Sequence, residues 1–299
     1  LSHRPATGIY RHRHRHLVAT AQGMKYRILL NLVLAALVAA LILLVWLKPK
    51  PTVQTEFKLS TLASTSVNRI AIEKPDQPAI VLQNNPAGWR LIAPFQARAE
   101  GTAVRRLLEI LAATSLQRFP ATDLGRFQLD NPLLRLTIND QEFSFGTQNT
   151  LTGEVYVATN GGVHLVAPSY LVYTMKMPAD FAAHAFLAEE EKLAGFEFAD
   201  LNLSQNSDGK WSVSPARPNW SQDDINRWAD EWRHASSLVT QPYDGTPAQE
   251  SLTLRLGDGK LIPCKILRYE PELVILREDE KLQYHFPTEI GKRLLRPGE

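Results

Sequence analysis

Four side chains are candidates for a functional surface in this chain: Trp211, Trp220, His164 and His285. An exposed tryptophan offers a large, rigid apolar face to a partner protein or a glycan, and a histidine can exchange protons near neutral pH. Trp220 directly precedes a predicted helix cap, and both histidines fall at polar positions of predicted hairpin strands. If these side chains reach solvent, they define a candidate partner surface. Two other tryptophans lie on the apolar stripe of the predicted helix, which favours the core: Trp228 and Trp232.

No spacing of reactive side chains after residue 50 defines a catalytic or metal-binding site. This part of the chain has no His-x-x-x-His, Cys-x-x-Cys or Asp-x-Asp pattern, and Ser169 and Ser221 lack the flanking glycines of a nucleophile elbow. Cys264, the single cysteine, shares the apolar side of a predicted strand with Ile262 and Ile266, which favours a buried thiol over a nucleophile. We therefore predict no cofactor and no metal, and we favour a protein that is not an enzyme.

An uncharged apolar stretch near the N-terminus runs from Ile28 to Leu47. As an α-helix it would be roughly 30 Å long, the thickness of the hydrocarbon core of a bilayer. It is longer than the apolar part of a secretory signal peptide, and no Ala-x-Ala cleavage site follows it. Instead it ends in an aromatic and basic flank that contains Trp46 and Lys48. We therefore predict an uncleaved signal anchor at residues 24–50 that holds the protein in the bacterial inner membrane.

The residues before the apolar stretch indicate its orientation. Met24, Lys25 and Arg27 form a short basic segment, and we expect translation to begin at Met24. Residues 1–23 would then be a disordered or mis-assigned extension. A short basic N-terminal flank usually remains in the cytoplasm, whereas long domains are translocated largely regardless of charge. We therefore place the N-terminus in the cytoplasm and the C-terminal domains outside, in the periplasm of a Gram-negative cell.

The charge distribution argues against nucleic-acid binding. The formal net charge is +2, but residues 1–50 contain no Asp or Glu, and acidic residues outnumber basic ones in the rest of the chain. Binding to phosphate groups requires a basic surface, which the acidic part does not offer. The single cysteine precludes an intrachain disulfide and is compatible with either the cytosol or the periplasm.

The patterns after the anchor predict an α+β fold: an N-terminal transmembrane helix followed by two tandem copies of an antiparallel-sheet-plus-helix unit. Strand, turn and helix signals occur in the same order in residues 67–177 and in residues 196–299. Matching positions, such as Trp89 with Trp211, lie about 120 residues apart, which is typical of domain duplication rather than of a short solenoid repeat.

Two linkers and one loop are predicted around these copies. Residues 51–66 are rich in Pro, Thr and Ser, which is typical of a flexible linker. Residues 178–195 connect the copies and contain three consecutive glutamates, Glu189 to Glu191, which are typical of a solvent-exposed helix face. Within the first copy, turn-forming residues from Phe119 to Pro132 predict a loop.

Several turns and strand starts resemble those of a known family. They are Gly88-Trp89-Arg90-Leu91-Ile92-Ala93-Pro94, Gly125-Arg126-Phe127-Gln128-Leu129-Asp130-Asn131-Pro132, and Tyr156-Val157 with Gly161-Gly162-Val163-His164-Leu165-Val166. Together with the basic N-terminus and the anchor, they make the chain resemble the bacterial family described as domain of unknown function 4340, best over residues 55–180. Phe127-Gln128-Leu129 departs from the aromatic-Gly-Leu sequence expected there.

The resemblance implies a membrane-anchored envelope protein, and some relatives are encoded beside gliding-type ABC exporters. Its motifs are structural, so they assign no catalytic residue. With the anchor and the duplication, it favours a non-enzymatic accessory subunit of an ABC-type export complex or another envelope complex. Two alternatives remain. One is an envelope hydrolase whose fold brings a histidine and a carboxylate together, and the other is a lipid- or glycan-binding module with a cavity between the two copies.

Overall fold

The computed structural model describes residues 16–47 and 55–295. The chain forms two compact units that meet in sequence between Gln54 and Thr55. The described part of the first unit is the helix α1 (His16–Trp46). Within α1, the segment Tyr26–Trp46 is apolar apart from Arg27 and Asn31, and its 21 residues make it long enough to cross a membrane.

The helix α1 begins further upstream than the sequence indicated. It includes residues 16–23, which were predicted to belong to a disordered or mis-assigned extension. Adding a residue to an existing helix costs far less than nucleating one, so the apolar helix extends through helix-compatible neighbours such as Leu17 and Ala19. Residues 1–15, residues 48–50 of the predicted anchor and residues 51–54 of the predicted linker lie outside the described residues.

The unit from Thr55 onward contains two large antiparallel sheets, of which the first has nine strands. A separate pair is formed by β1 (Phe57–Lys58) and β6 (Thr114–Ser115). The nine strands are β2 (Arg69–Glu73), β3 (Ile80–Asn85), β4 (Gly88–Ala93), β5 (Ala97–Arg98), β7 (Arg118–Pro120), β8 (Leu134–Ile138), β9 (Gln141–Gln148), β10 (Val155–Thr159) and β11 (Gly162–Val166). Their order across the sheet is β5-β4-β3-β2-β8-β9-β10-β11-β7.

The second sheet has eight strands. They are β12 (Leu193–Phe198), β13 (Asn202–Gln205), β14 (Trp211–Ser214), β15 (Val239–Pro242), β16 (Glu250–Leu256), β17 (Leu261–Arg268), β18 (Leu273–Arg277) and β19 (Leu282–Phe286). Their order is β14-β13-β12-β16-β17-β18-β19-β15. The sheet therefore begins at Leu193, inside the segment predicted as the linker at residues 178–195.

Four helices accompany the sheets: α2 (Gly101–Leu108), α3 (Ser169–Thr174), α4 (Gln222–Arg233) and α5 (Thr288–Leu295). The sequence-based prediction for α4 is confirmed, because Ser221 and Asp224 form a capping box at its start. Its buried stripe also follows the prediction, with Ile225, Trp228, Ala229 and Trp232 inside. The helix α2 ends at Leu108 and continues as a 3-10 turn to Ala112.

The predicted flexible linker at residues 51–66 is wrong over its described part. Leu59 has no exposed surface and belongs to the main hydrophobic core. Its carbonyl oxygen accepts hydrogen bonds from the side-chain amides of Gln141 and Asn160, each at 2.9 Å. These partners lie about 80 to 100 residues away in sequence, so no local pattern in a Ser- and Thr-rich segment could reveal them.

The predicted loop from Phe119 to Pro132 is also corrected in part. Its first residues belong to β7, which pairs antiparallel with β11 and closes one edge of the first sheet. Three residues are too few to show a strand period, and Pro120 is tolerated because an edge strand leaves one side unpaired.

The two sheets share one continuous hydrophobic core. A single cluster of buried apolar residues includes Ile72 and Leu136 from the first sheet and Phe196, Leu254 and Trp232 from the second sheet and its helix. On β8 and on β16 the buried leucines alternate with more exposed residues, as the period of a half-buried strand requires. The structure is therefore a mixed α+β fold with an N-terminal apolar helix and large antiparallel sheets.

Arg277, on β18 of the second sheet, binds the connecting segment, which is the part of the chain between β11 and β12. Its side chain is 1% exposed. Its two terminal nitrogens donate to the two carboxylate oxygens of Glu191, both at 2.9 Å, and one of them also donates to Asp279 at 2.8 Å. A further hydrogen bond of 2.6 Å reaches the carbonyl oxygen of Phe186. Paired charges and satisfied donors make burial of this guanidinium possible.

Arg98, on β5, links the first sheet to the same cluster. Its Nε donates to Glu280 Oε1 at 2.7 Å, and one terminal nitrogen donates to the Tyr284 hydroxyl at 3.0 Å and to the Ala185 carbonyl oxygen at 2.8 Å. Both acceptor side chains belong to the second sheet or its turns. The charged cluster therefore connects the first sheet, the connecting segment and the second sheet.

The sequence-based prediction for Glu191, which belongs to this cluster, is wrong. It was predicted to lie on a solvent-exposed helix face, but its side chain is 11% exposed and it lies in a turn before β12. Burial alone would raise the pKa of its carboxyl group. Hydrogen bonds from Arg277 and from the Ala188 backbone N–H outweigh burial and lower the pKa to about 2.

We predict that Glu191→Gln weakens the folded state mainly above pH 4.5. A carboxylate with a lowered pKa stabilises the protein above its unfolded pKa of 4.5, and this stability is lost as the pH falls toward 2. At pH 7 the substitution should lower the free energy of unfolding by about 3 kcal/mol, because Arg277 loses a buried partner. Denaturant unfolding of the full-length protein in detergent, at a series of pH values, measures both effects.

Glu190→Gln is the matched control for this experiment, because Glu190 is exposed and directly adjacent. The difference in stability between wild type and Glu191→Gln should shrink from pH 4.5 to pH 2, whereas Glu190→Gln should remain close to wild type throughout. Equal pH profiles for the two variants would contradict the assigned role of Glu191.

Candidate functional site

A pocket of about 730 Å³ lies within the second sheet and its helices. Its walls come from the turn after β12, the segment before α4, the facing ends of β16 and β17, and the helix α5. Its volume is in the range of small-ligand and peptide-anchor sites. All lining residues belong to this half of the unit, so the pocket differs from the cavity between two copies that a lipid- or glycan-binding module would require.

One side of the pocket is aromatic. Trp220 is half-buried at its wall, and Trp228 is 3% exposed at its base. Phe198 lies beside Trp228, with ring centroids 6.1 Å apart. The Trp228 indole N–H donates to the carbonyl oxygen of Leu294 at 3.0 Å, which ties α4 to α5. The base is therefore fixed by packing and a hydrogen bond, whereas Trp220 retains exposed surface.

Two of the three acidic residues that line the pocket have close hydrogen-bond partners, whereas the third, Asp200, has a side chain that is 79% exposed. Asp224 accepts hydrogen bonds from the Ser221 hydroxyl at 2.7 Å and the Ser221 backbone N–H at 3.1 Å. These two bonds lower the pKa of the Asp224 carboxyl group, so it stays ionised. Glu250 accepts a hydrogen bond from the Tyr269 hydroxyl. Both carboxylates are held by neighbouring hydroxyl groups.

The basic groups of the pocket have weaker and more exposed partners. Arg217 approaches Asp200 only at 3.9 Å, and its side chain is 44% exposed. Lys292 lies 3.4 Å from Glu289, and both side chains are more than half exposed. Exposed ion pairs at these distances contribute little and exchange readily with solvent or a ligand. Arg217 and Lys292 are therefore the cations that a ligand could reach, beside the carboxylates of Asp200, Asp224 and Glu250.

Trp211, predicted as part of the candidate surface, is buried. It is 4% exposed, and its ring lies 5.9 Å from that of Phe196 in the core. Its indole N–H donates to Asn226 Oδ1 at 2.9 Å, and its backbone N–H donates to the Gln222 side chain at 2.8 Å. The start of β14 packs against α4, which removes Trp211 from the surface.

His164 is likewise buried, at 3% exposed, although the strand pattern predicted a solvent-facing position. The strand β11 lies between β10 and β7, and all five of its residues are buried, so both of its faces are covered. Burial, together with the nearby charge of Arg118, lowers the pKa of His164 and favours the neutral ring. Its Nδ1 has no hydrogen-bond partner among the described residues. His164 therefore cannot belong to a partner surface.

His285 forms the kind of pair that the hydrolase alternative requires. Its Nδ1 lies 2.9 Å from Glu272 Oε1, and its Nε2 lies 3.2 Å from the Gln241 amide nitrogen. The amide nitrogen is a donor, so this arrangement places the ring proton on Nδ1 and the lone pair of Nε2 toward Gln241. Both ring nitrogens are used within the protein, and His285 does not line the pocket.

The remaining reactive group, Cys264, is 1% exposed, and burial raises the pKa of its thiol. The sequence-based interpretation of a buried thiol is confirmed. Within residues 16–47 and 55–295, no three His, Cys, Asp or Glu side chains are grouped so that they could hold a metal ion.

Sequence reasoning found one wall residue of the pocket, Trp220, from its position before a helix cap. It missed the polar residues, among them Arg217, Glu250 and Lys292. These residues come from separate strands, turns and helices, and no local spacing connects them.

Comparison with known proteins places this architecture in a family. The family model described as "Domain of unknown function (DUF4340)" matches residues 89–241, about half of the chain. The chain belongs to this family, as its turns and strand starts suggested. The match begins at Trp89 on β4 and ends at Gln241 on β15. It therefore starts later and ends later than the expected range, residues 55–180. The matched residues include Trp220. No curated protein and no solved structure matches the chain.

The two tryptophans of the pocket should differ sharply in their effect on stability. We predict that Trp228→Ala lowers the free energy of unfolding by about 3–5 kcal/mol, because it leaves a large cavity in the core. Trp220→Ala should cost about 1 kcal/mol, because its ring is only half-buried. Denaturant unfolding of the full-length variants in detergent measures both values. A loss for Trp220→Ala as large as that for Trp228→Ala would assign Trp220 a structural role.

Proposed function

We propose that this chain is a single-pass, non-enzymatic accessory protein of the bacterial envelope, which binds an ABC-type export complex or another envelope complex. The observation that carries the proposal is the pairing of one apolar helix, Tyr26–Trp46, with a large folded unit that exposes a binding pocket. Family membership adds support, because some relatives are encoded beside gliding-type ABC exporters.

The proposed location is the inner membrane, with the N-terminus in the cytoplasm and the Thr55–Glu299 unit outside. The short basic flank at Lys25 and Arg27 favours this orientation, and long domains are translocated largely regardless of charge. The lone, buried Cys264 needs no disulfide partner in an oxidising compartment.

The strand orders support a duplication of one α+β unit. From β4 to β7, the first sheet runs β4-β3-β2-β8-β9-β10-β11-β7, and the second runs β14-β13-β12-β16-β17-β18-β19-β15, in the same sequence of connections. The helices α2 and α4 follow β5 and β14, and α3 and α5 follow β11 and β19. Leu136 pairs with Phe143 as Leu254 pairs with Ile262. Within the two large sheets, β5 is the one described strand without a counterpart, and the separate pair β1 and β6 has none either.

A hydrolase remains the alternative from a different class, on the strength of the His285–Glu272 pair. A general base needs a ring nitrogen that can reach a substrate proton. In His285 both nitrogens face protein side chains, and the pair lies apart from the pocket. The geometry therefore favours binding over hydrolysis.

The orientation can be tested with a single introduced thiol. Leu151 is 94% exposed in the loop between β9 and β10, whereas Cys264 is buried and should react little in the folded protein. We predict that Leu151→Cys reacts with a membrane-impermeant maleimide in intact spheroplasts, and that the wild type does not. Labelling of Leu151→Cys only after the membrane is lysed would place the unit in the cytoplasm and contradict the proposal.

The accessory role can be tested by purification from membranes. We predict that the tagged full-length protein, extracted in a mild detergent, co-purifies with a transporter or another envelope subunit in a fixed ratio. A matched control replaces residues 28–47 with the anchor of an unrelated single-pass protein, and it should retain the partner, since the folded unit makes the contact. Recovery of no transporter or envelope subunit would count against the proposed function.

A further inference from the structure

The two halves of the folded unit differ at the start of their corresponding helices. The residue before the helix N-cap is Ala99 in the first half and Trp220 in the second, because the N-caps are Glu100 and Ser221. Ala99 forms an antiparallel bridge with Ala182, in the segment that follows α3. Trp220 has no such bridge among the described residues and lines the pocket instead.

The segment that crosses α2 in the first half is held at three points. The Glu100 backbone N–H donates to the Phe181 carbonyl oxygen at 2.8 Å, and the Ala183 N–H donates to the Arg98 carbonyl oxygen at 2.8 Å. Lys74, directly after β2, donates to the Lys176 carbonyl oxygen at 2.6 Å. Residues 176–183 therefore cross the start of α2, with a 3-10 turn at Pro178–Phe181.

The corresponding points of the second half surround the pocket. Phe198, at the end of β12, takes the place of Lys74, and Trp220 takes the place of Ala99. The N-cap N–H of Ser221 is satisfied by its own capping box with Asp224, so folding does not require a crossing segment here. Among the described residues, which end at Leu295 in α5, no segment crosses this position in the second half, and the pocket lies there.

The crossing segment also shows which chemistry fits this position. Phe181 has no exposed surface and anchors the segment in the core. The preceding residue is Asp180, whose charge acts on the nearby Lys74 ammonium. In the second half, the exposed and weakly paired cations Arg217 and Lys292 could meet an acidic residue of a ligand. The carboxylates of Asp224 and Glu250 accept hydrogen bonds from neighbouring hydroxyl groups, and neither forms an ion pair with Arg217 or Lys292 in the described part of the chain.

We propose that the pocket beside Trp220 seats a peptide segment of a partner protein, with an aromatic or aliphatic anchor next to an acidic residue. The segment crosses the start of α4 as residues 176–183 cross the start of α2. Its apolar anchor packs against Trp220, Phe198 and the base at Trp228, and its carboxylate pairs with Arg217 or Lys292. This inference rests on the proposed function, since it names the kind of partner that the accessory protein binds.

The experiment uses the full-length protein in lipid nanodiscs and a fluorescent peptide with the sequence of residues 176–184, Lys-Met-Pro-Ala-Asp-Phe-Ala-Ala-His. Fluorescence anisotropy should show saturable binding. Replacing Phe by Ala, or Asp by Asn, in the peptide should weaken binding about tenfold, as should Trp220→Ala or Arg217→Glu in the protein. Lys210→Glu is the matched control, because Lys210 is exposed in the same half and outside the pocket lining, and it should leave binding unchanged.

Three outcomes would overturn the inference. They are no saturable binding of the peptide, binding that Trp220→Ala and Arg217→Glu do not weaken, and displacement of the bound peptide by a neutral disaccharide such as chitobiose, which would assign the pocket to a glycan. Failure here is distinguishable from failure of the proposed function. If a transporter subunit co-purifies but the peptide does not bind, only the proposed peptide site is contradicted. If the peptide binds but no envelope subunit co-purifies, only the proposed accessory role is contradicted.

Discussion

A guanidinium group buried in a protein interior must have its charge and its donors satisfied, and this constraint acts at the junction of the two sheets. Arg277 is almost fully buried and takes its partners from the connecting segment and from the turn after its own strand. Arg98 brings the first sheet to the same cluster through Glu280 and Tyr284. Removal of any one partner would leave a charge in a region of low dielectric, so the halves are coupled as one body.

If the unit is a duplication, as proposed, its two halves differ at the start of their corresponding helices. In the first half, the chain that leaves α3 runs across the start of α2 and on toward the charged cluster, so the connection itself fills the position beside Ala99. In the second half, Trp220 stands at that position, and the capping box of α4 satisfies the N-cap donor. The same architecture therefore gives a closed position in one half and a pocket in the other.

The candidate site was only partly predictable because its residues meet through tertiary contacts. Trp220 could be recognised from its place before the capping box, a signal contained within five residues. His164 and Trp211 were misleading, because a local pattern does not reveal that other parts of the chain cover the expected outer face. Glu191 was misleading for the same reason, since its partner Arg277 lies 86 residues away. Local polarity says nothing about such distant partners.

The sequence by itself determined the features that depend on neighbouring residues. These are the apolar helix near the N-terminus, the alternation in β8 and β16, the capping box and buried stripe of α4, and the turns that identify the family. The tertiary structure alone decided which polar groups are buried, which segments close the sheet edges and where a pocket forms. The physical reason is that burial and ion pairing depend on the three-dimensional distance between groups, whereas periodicity and capping depend on spacing along the chain.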